Sequence, residues 1–365
     1  MSEDQVKPAS GVLQFLPQGG GFLRDPSVSF YPGREDVWIS RQMIQKYGLS
    51  EGALVKGEGE KNERGWALTS IDSVCGLSPE DFQSRTRFEK LVPINPNDRI
   101  HLGNDGDLSM RIVDLITPIG KGTRAMIVAP PKSGKTTLLE KMAHAISQTE
   151  KKARLIVLLV DERPEEVTHF KRNVNAEVLA SSSDQSVGAH VQLTEMIMAQ
   201  IRCELECGQE IIVLMDSLTR MARSFNQSVP GTRRTLSGGI DASALEIPRR
   251  FFGLARNIEN GGSVTVIATA MVQTGSRMDD YIFEEFKGTG NSELVLDRSL
   301  SDTRIFPAIN ILASGTRKEE LLLSEKEYQW VQETRRKMAD STPRDAMQEL
   351  ISSIKKSPSN EALIA

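Results

Sequence analysis

The rhythm of hydrophobic positions changes near Met110. Between Gly11 and about Cys75, short β-like runs are separated by turn residues: GVLQFL, GFLRD, DVWIS, ALVKGE and WALTSI. Gly19, Gly20 and Gly21 in succession permit sharp backbone turns, and Asn62-Glu63-Arg64 has turn composition. Five short strands over residues 11–75 predict a small barrel of the OB-like, cold-shock-like kind. Residues 1–10 are polar and aperiodic and are expected to be a disordered tail. Residues 76–110, rich in Pro and Asp, read as a connector. Beyond them, apolar runs alternate with helical stretches: MIVAP then TTLLEKMAHAIS, LIVLLVDE then EVTHFKRNV, EIIVLMDS then LTRMARSF, and later SVTVIATA. Unbroken runs such as LIVLLV suit strands covered on both faces of a parallel sheet. Strands spaced by helices predict a doubly wound α/β domain over 111–365, closed by a charged helical segment after Glu320.

Composition narrows this picture. A chain of 365 residues has room for one large domain and one small one. Its 45 basic and 49 acidic residues give a net charge of −4, which excludes a binder that holds nucleic acid by bulk charge. Any such site must be local. The three cysteines form no zinc-type set, and Cys203 and Cys207, four apart on a helical stretch, read as reduced structural thiols. No apolar run reaches the roughly 18 residues of a membrane span, and no signal-peptide pattern opens the chain. A soluble, cytoplasmic protein is expected.

The sharpest chemical motif is Ala129-Pro-Pro-Lys-Ser-Gly-Lys-Thr136, which follows an apolar strand and opens a helix. That context is what a phosphate-binding P-loop requires. Backbone N–H groups and a helix N-terminus face phosphate oxygens, Lys135 adds a point charge, and the Thr136 hydroxyl suits Mg²⁺. Ala129 replaces the usual first Gly. Asp216 ends the strand Ile211–Met215, the place of the acid that orients Mg²⁺. Glu162 ends another strand, where it could polarise the attacking water, with Asp161 as the other candidate. Arg163, Arg220 and Arg317 are candidates for contacting the γ-phosphate. These residues predict a RecA-like P-loop ATPase domain using ATP and Mg²⁺.

Longer strings carry a resemblance. VLLVDERPEEVTHFKRNV (157–174), MDSLTRMARSFN (215–226), PRRFFGLARNIENGGSVTVIATA (248–270), EEFKGTGNSELVLDR (284–298) and SGTRKEELL (314–322) resemble the bacterial transcription termination factors of the Rho family. The match runs in register from about Val12 to Met347. It implies a homohexameric helicase and translocase that binds nascent single-stranded RNA and hydrolyses ATP to pull it from RNA polymerase, with Nus-type factors as further partners. It assigns nucleotide contacts to Gly120, Lys121, Gly122, Thr123, Arg124, Ala125, Lys132, Ser133, Gly134, Lys135, Thr136 and Thr137. Glu162 matches the residue that activates water, Asp216 the Mg²⁺-orienting acid, Arg163 a γ-phosphate sensor, and Phe306 an adenine-stacking ring. Arg317 matches an arginine finger that enters the neighbouring subunit's site.

For RNA, the resemblance implicates Phe22, Arg24, Asp36, Trp38 and Glu63 in the barrel. It places Arg234 in a first pore loop, Pro230–Asp241, and Arg277 in a second, Gln273–Arg277. Against the family pattern, Arg234 and Arg277 stand where the pore loops usually carry lysine, and in the barrel Gly20 and Gly65 stand where aromatics are usual. Stacked bases gain about 1–3 kcal/mol each from an aromatic platform, so the barrel is expected to grip bases less well. Two other functions fit these residues less well. A non-motor RNA-binding regulator with a vestigial ATPase is opposed by the intact Lys135, Thr136, Glu162, Asp216 and Arg317. A rotary-type ATPase subunit is opposed by the barrel and the pore-loop strings.

Overall fold

The computed structural model describes residues 6–229 and 239–364. Strands β1 (Val6–Phe15), β2 (Gly21–Arg24), β3 (Val37–Ile39), β4 (Leu54–Asn62) and β5 (Gly65–Val74) close a barrel in the order β1-β2-β3-β5-β4. Ala9, Leu13, Leu23, Val37, Ile39, Val55, Leu68 and Val74 fill it. Val6–Ser10 are not part of a tail, because Val6 to Ser10 register with Glu60 to Lys56 of β4. Their polar side chains face outward, so the pattern gave no signal while the backbone gained ladder partners. Residues 1–5 of the expected tail lie outside the described residues. The stretch 76–110 also carries structure. A short helix, Pro79–Ser84, capped by Ser78, buries Phe82 against the barrel, and Pro93–Ile94 pairs with residues 257–258.

The larger domain is built on β6 (Arg124–Ala129), β7 (Arg154–Glu162), β8 (Glu177–Ser182), β9 (Glu210–Asp216), β10 (Ser263–Met271) and β11 (Ser292–Val295). They lie in the order β8-β7-β9-β10-β6-β11, each pair parallel. Successive residues of each strand enter opposite cores. Ile127, Val157, Leu159 and Leu214 face one apolar cluster, while Met126, Ile156, Leu158 and Val213 face the other. Both faces being apolar explains why the strands read as unbroken hydrophobic runs.

Helices α1 (Leu108–Ile116), α2 (Lys135–Thr149), α3 (Pro164–Asn173), α4 (Val187–Glu206) and α5 (Leu218–Ser228) cover these faces. Helices α6 (Arg277–Phe286), α7 (Glu325–Lys337) and α8 (Pro343–Lys355) follow. Because the strands are parallel, the C-terminal ends of β6, β7, β9 and β10 share one edge, where such sheets bind ligands.

Candidate functional site

The loop leaving β6 turns into α2 through two left-handed residues, Lys132 (φ 64°) and Gly134 (φ 85°). Such a path brings successive amide N–H groups into one concave nest suited to an anion. Ser133 Oγ donates to the Pro130 carbonyl at 2.7 Å and holds the loop, and the N-terminal end of a fifteen-residue helix stands behind it. Lys135 Nζ reaches Asp216 Oδ1 at 2.6 Å, and the same oxygen accepts from Thr269 Oγ1 at 2.9 Å. The ends of β6, β9 and β10 are thereby joined at one carboxylate, itself 2% exposed.

Glu162 ends β7 and is 6% exposed. Burial, and then the charge of Asp216, push its carboxyl above the ordinary range, while the Arg163 backbone N–H at 3.0 Å and the Arg220 guanidinium at 3.3 Å oppose the shift. Arg220 also donates to the Asp161 carbonyl at 2.7 Å. Asp161 sits at φ 55°, its carboxylate 4.0 Å from His190 Nε2 and 3.8 Å from Arg220. Glu162 lies within the electrostatic reach of Asp216 and Lys135. His190, buried with Nδ1 2.9 Å from Ser181 Oγ, lies behind this group and went unremarked in the sequence, where a lone His in a helix signals nothing. Arg163 is exposed at the N-cap of α3, and Thr136 is half-buried in the first turn of α2.

Beside the loop, Ser109, Lys132, Ser133, Thr137, Leu138 and Phe306 help line a cavity of about 330 Å³. Phe306 is 46% exposed, and a Cβ on Gly134 would come within 3.3 Å of its ring. Glycine therefore lets the ring close over the phosphate loop. Lys141, bonded to Asp107 at 2.7 Å and Ser109 at 3.2 Å, also lines this cavity and had no motif to mark it.

Gly120, Lys121, Gly122, Thr123, Arg124 and Ala125 are not brought to the phosphate loop of their own chain. Gly120 to Thr123 lead into β6 and Arg124 and Ala125 begin it, so most of a six-residue strand, about 17 Å from end to end at ~3.3 Å per residue, stands between. Lys121 is engaged by Asp98 at 2.9 Å, Glu210 at 3.2 Å and Glu150 at 3.5 Å. Gly122 makes the turn at φ 91°, where a Cβ would fall 2.3 Å from Asn257 N. Nearness in sequence to the P-loop hid the strand in between. Arg317 stands with this group: its N–H donates to the Asn291 carbonyl at 2.7 Å, and with Thr123 and Arg124 it lines a separate cleft of about 160 Å³.

On the barrel, Phe22 and Trp38 register opposite each other, with ring centroids 5.3 Å apart in an edge-to-face arrangement. Arg24 lies over the Phe22 ring at 5.0 Å, is ion-paired to Asp36, and donates to Gln14 at 2.7 Å. A Cβ on Gly20 would fall 2.4 Å from the Trp38 ring. Gly20 and Trp38 are thus complementary, since the larger ring occupies the room an aromatic at position 20 would need. Gly65 faces open space at φ 124°. Ala67, not Trp66, registers with Trp38, and Trp66 packs toward the barrel core under Lys7, 4.2 Å away. Glu63 is exposed at the β4–β5 turn.

Arg277 is exposed at the start of α6. The loop before it is pinned by Thr274 Oγ1 to Asp279 at 2.6 Å, and Asp279 also takes Arg223 Nε at 2.8 Å. Arg234, with most of the first expected pore loop, lies outside the described residues.

Comparison with known proteins bears on the two-domain fold and the family. Residues 109–316 match the nucleotide-binding domain of the ATP synthase alpha/beta family. Residues 9–80 match the RNA-binding domain of the Rho termination factor. The transcription termination factor Rho of Chromobacterium violaceum is 46% identical over 359 residues, spanning 96% of this chain and 86% of its own. That of Aquifex aeolicus is 48% identical over 362 residues, spanning 97% and 83%. Among solved structures, an ATPase of a type III secretion system of pathogenic bacteria superposes with a TM-score of 0.59 at 20% identity, over 81% of this chain and 87% of that one. That last likeness concerns the fold alone. No helix among the described residues is long and apolar enough to cross a membrane.

Proposed function

The chain belongs to the transcription termination factor Rho family, and we propose that it is an RNA-dependent ATPase that draws single-stranded RNA through a ring of six copies. It is an ATP-hydrolysing transcription termination factor that acts through RNA binding. The observation carrying the motor reading is the contact of Lys135 with Asp216 beside the buried Glu162, in a chain that also holds an RNA-binding barrel.

In this reading the amides of residues 132–136 and the α2 N-terminus cradle the ATP phosphates, and Lys135 turns from Asp216 to the β- and γ-phosphates. The Thr136 hydroxyl, in the first turn of α2, and the Asp216 carboxylate, at the end of β9, are hard oxygen donors of the kind Mg²⁺ prefers. An ion held by these two oxygens would supply positive charge to offset that of the transferring phosphoryl group. Glu162 takes a proton from the attacking water, and a carboxyl raised above its ordinary range is the stronger base for that task. Phe306 stacks on adenine. Arg317, remote from its own phosphate loop, completes the site of the next copy.

Phe22 and Trp38 supply the base platform, Arg24, Asp36 and Glu63 flank it, and Arg277 with Arg234 grips the backbone in the pore. RNA polymerase is the complex from which the RNA is released. The test is ATP-dependent displacement of an RNA strand from an RNA–DNA hybrid with a single-stranded 5′ tail. Strand release with ATP, lost in Lys135→Ala, is expected. Equal release without ATP, or none in assembled rings, would exclude a translocating motor.

A further inference from the structure

Three thiols come together where the barrel meets the ATPase domain. Cys75 follows β5, and Cys203 and Cys207 stand one turn apart at the C-terminal end of α4. Cys75 Sγ lies 3.7 Å from Cys203 Sγ, although 128 positions separate them in sequence. Both are buried, while Cys207 is only half-buried. Residues four apart share a helix face, so Cys207 stands over Cys203 on the side nearer solvent. Hydrogen bonds from Cys203 and then Cys75, with the Arg85 charge added, hold the Cys207 thiol below its ordinary range. The same contacts and burial push Cys203 up. The accessible sulfur is therefore also the one favoured as thiolate, the nucleophilic form.

The junction around the sulfurs is fixed on both sides. Arg85 Nε bonds Glu206 at 2.9 Å, and Gln209 Nε2 donates to the Cys75 carbonyl at 2.8 Å. Gly52 packs so closely that a Cβ there would lie 2.2 Å from the Ala199 backbone. Among the described residues no cluster of three or more His, Cys, Asp or Glu is arranged to hold a metal ion, so thiol chemistry is what this trio offers.

We propose that the trio is an oxidation site for hydroperoxides, with Cys207 as the entry thiol and a Cys75–Cys203 disulfide as the product that staples the barrel to the ATPase domain. The Cys207 thiolate attacks one oxygen of hydrogen peroxide, the O–O bond breaks, and the departing hydroxide takes up a proton to become water. The Cys203 thiol then attacks the Cys207 sulfenic acid, forming an S–S bond and releasing a second water. Cys75 displaces Cys207 from Cys203 by thiol–disulfide exchange, and its proton passes to Cys207. In sum two thiols lose two electrons and two protons, and one peroxide becomes two waters.

The test treats the full chain with hydrogen peroxide, blocks remaining thiols with N-ethylmaleimide, and maps unreduced peptides by mass spectrometry. The expected product joins the Cys75 peptide to the Cys203 peptide and disappears with dithiothreitol. Cys207→Ser should slow its appearance at least tenfold. Independently of any variant, limiting iodoacetamide should label Cys207 before Cys75 or Cys203. Free or sulfonated thiols with no Cys75 cross-link would overturn the disulfide, and a wild-type rate in Cys207→Ser or earlier labelling of Cys75 would overturn the entry role.

Discussion

Glu162 lies between one carboxylate and two cations, and the balance among them sets its proton. Asp216 and burial make it harder to ionise; Arg220 and Lys135 make it easier. Replacing Arg220 by Met removes a favourable cation, so the carboxyl should be pushed up further. The acidic limb of the pH–rate profile for ATP turnover should then move to higher pH, with a lower maximal rate. A limb that stays in place would mean that Glu162 is not the group titrating. Glu162→Gln should cost about 10²–10⁴-fold in turnover while ATP still binds, measured by hydrolysis beside a fluorescent-nucleotide titration. At this scale the sequence points to Asp216 and Glu162 because each ends an apolar strand, and to Lys135 through the loop-to-helix motif, and the structure brings the three together. The residues alone leave Asp161 open beside Glu162 and the resemblance favours Glu162; the structure adds that Asp161 takes a left-handed backbone, φ 55°, which turns the two neighbours differently. His190 and Lys141 act through contacts made only in three dimensions.

Among the elements, the barrel shows how a lost aromatic can be offset. Phe22 and Trp38 form one platform, and Trp38 fills the space that position 20 leaves free. Trp38→Ala should therefore weaken single-stranded RNA binding by about 1–3 kcal/mol, read by fluorescence anisotropy, with ATP binding unchanged. Gly20→Phe should not add grip: its side chain meets the Trp38 ring, so the barrel should lose thermal stability and RNA affinity together. Gly20→Phe combined with Trp38→Tyr should recover part of both. The strands of the large sheet were legible because their two apolar faces leave continuous runs. Strand β8 has no such signal, since Glu177–Ser182 is half polar, and the first residues of β1 have none because their backbone ladder to β4 carries them and Ala9 alone enters the core cluster.

For the whole molecule, the placement of Arg317 carries most weight. It shares a face with Thr123 and Arg124, a strand's length from its own P-loop. In a ring, such a face can complete a neighbour's site. Arg317→Ala and Lys135→Ala should each be inactive alone, yet mixing the two should restore part of the turnover, because some interfaces then pair an intact P-loop with an intact Arg317. No recovery on mixing would place Arg317 outside catalysis in trans. The two-domain outline was readable from the change in hydrophobic rhythm. The opposed faces were not, because a P-loop and the run just before it look like one motif until a strand is drawn between them.

The central claim is that ATP turnover is coupled to RNA, and steady-state hydrolysis with and without single-stranded RNA tests it most directly. Assembled rings should hydrolyse ATP slowly alone and many-fold faster with RNA, with both rates abolished in Lys135→Ala. An identical rate with and without RNA, in rings shown to bind that RNA, would contradict the account.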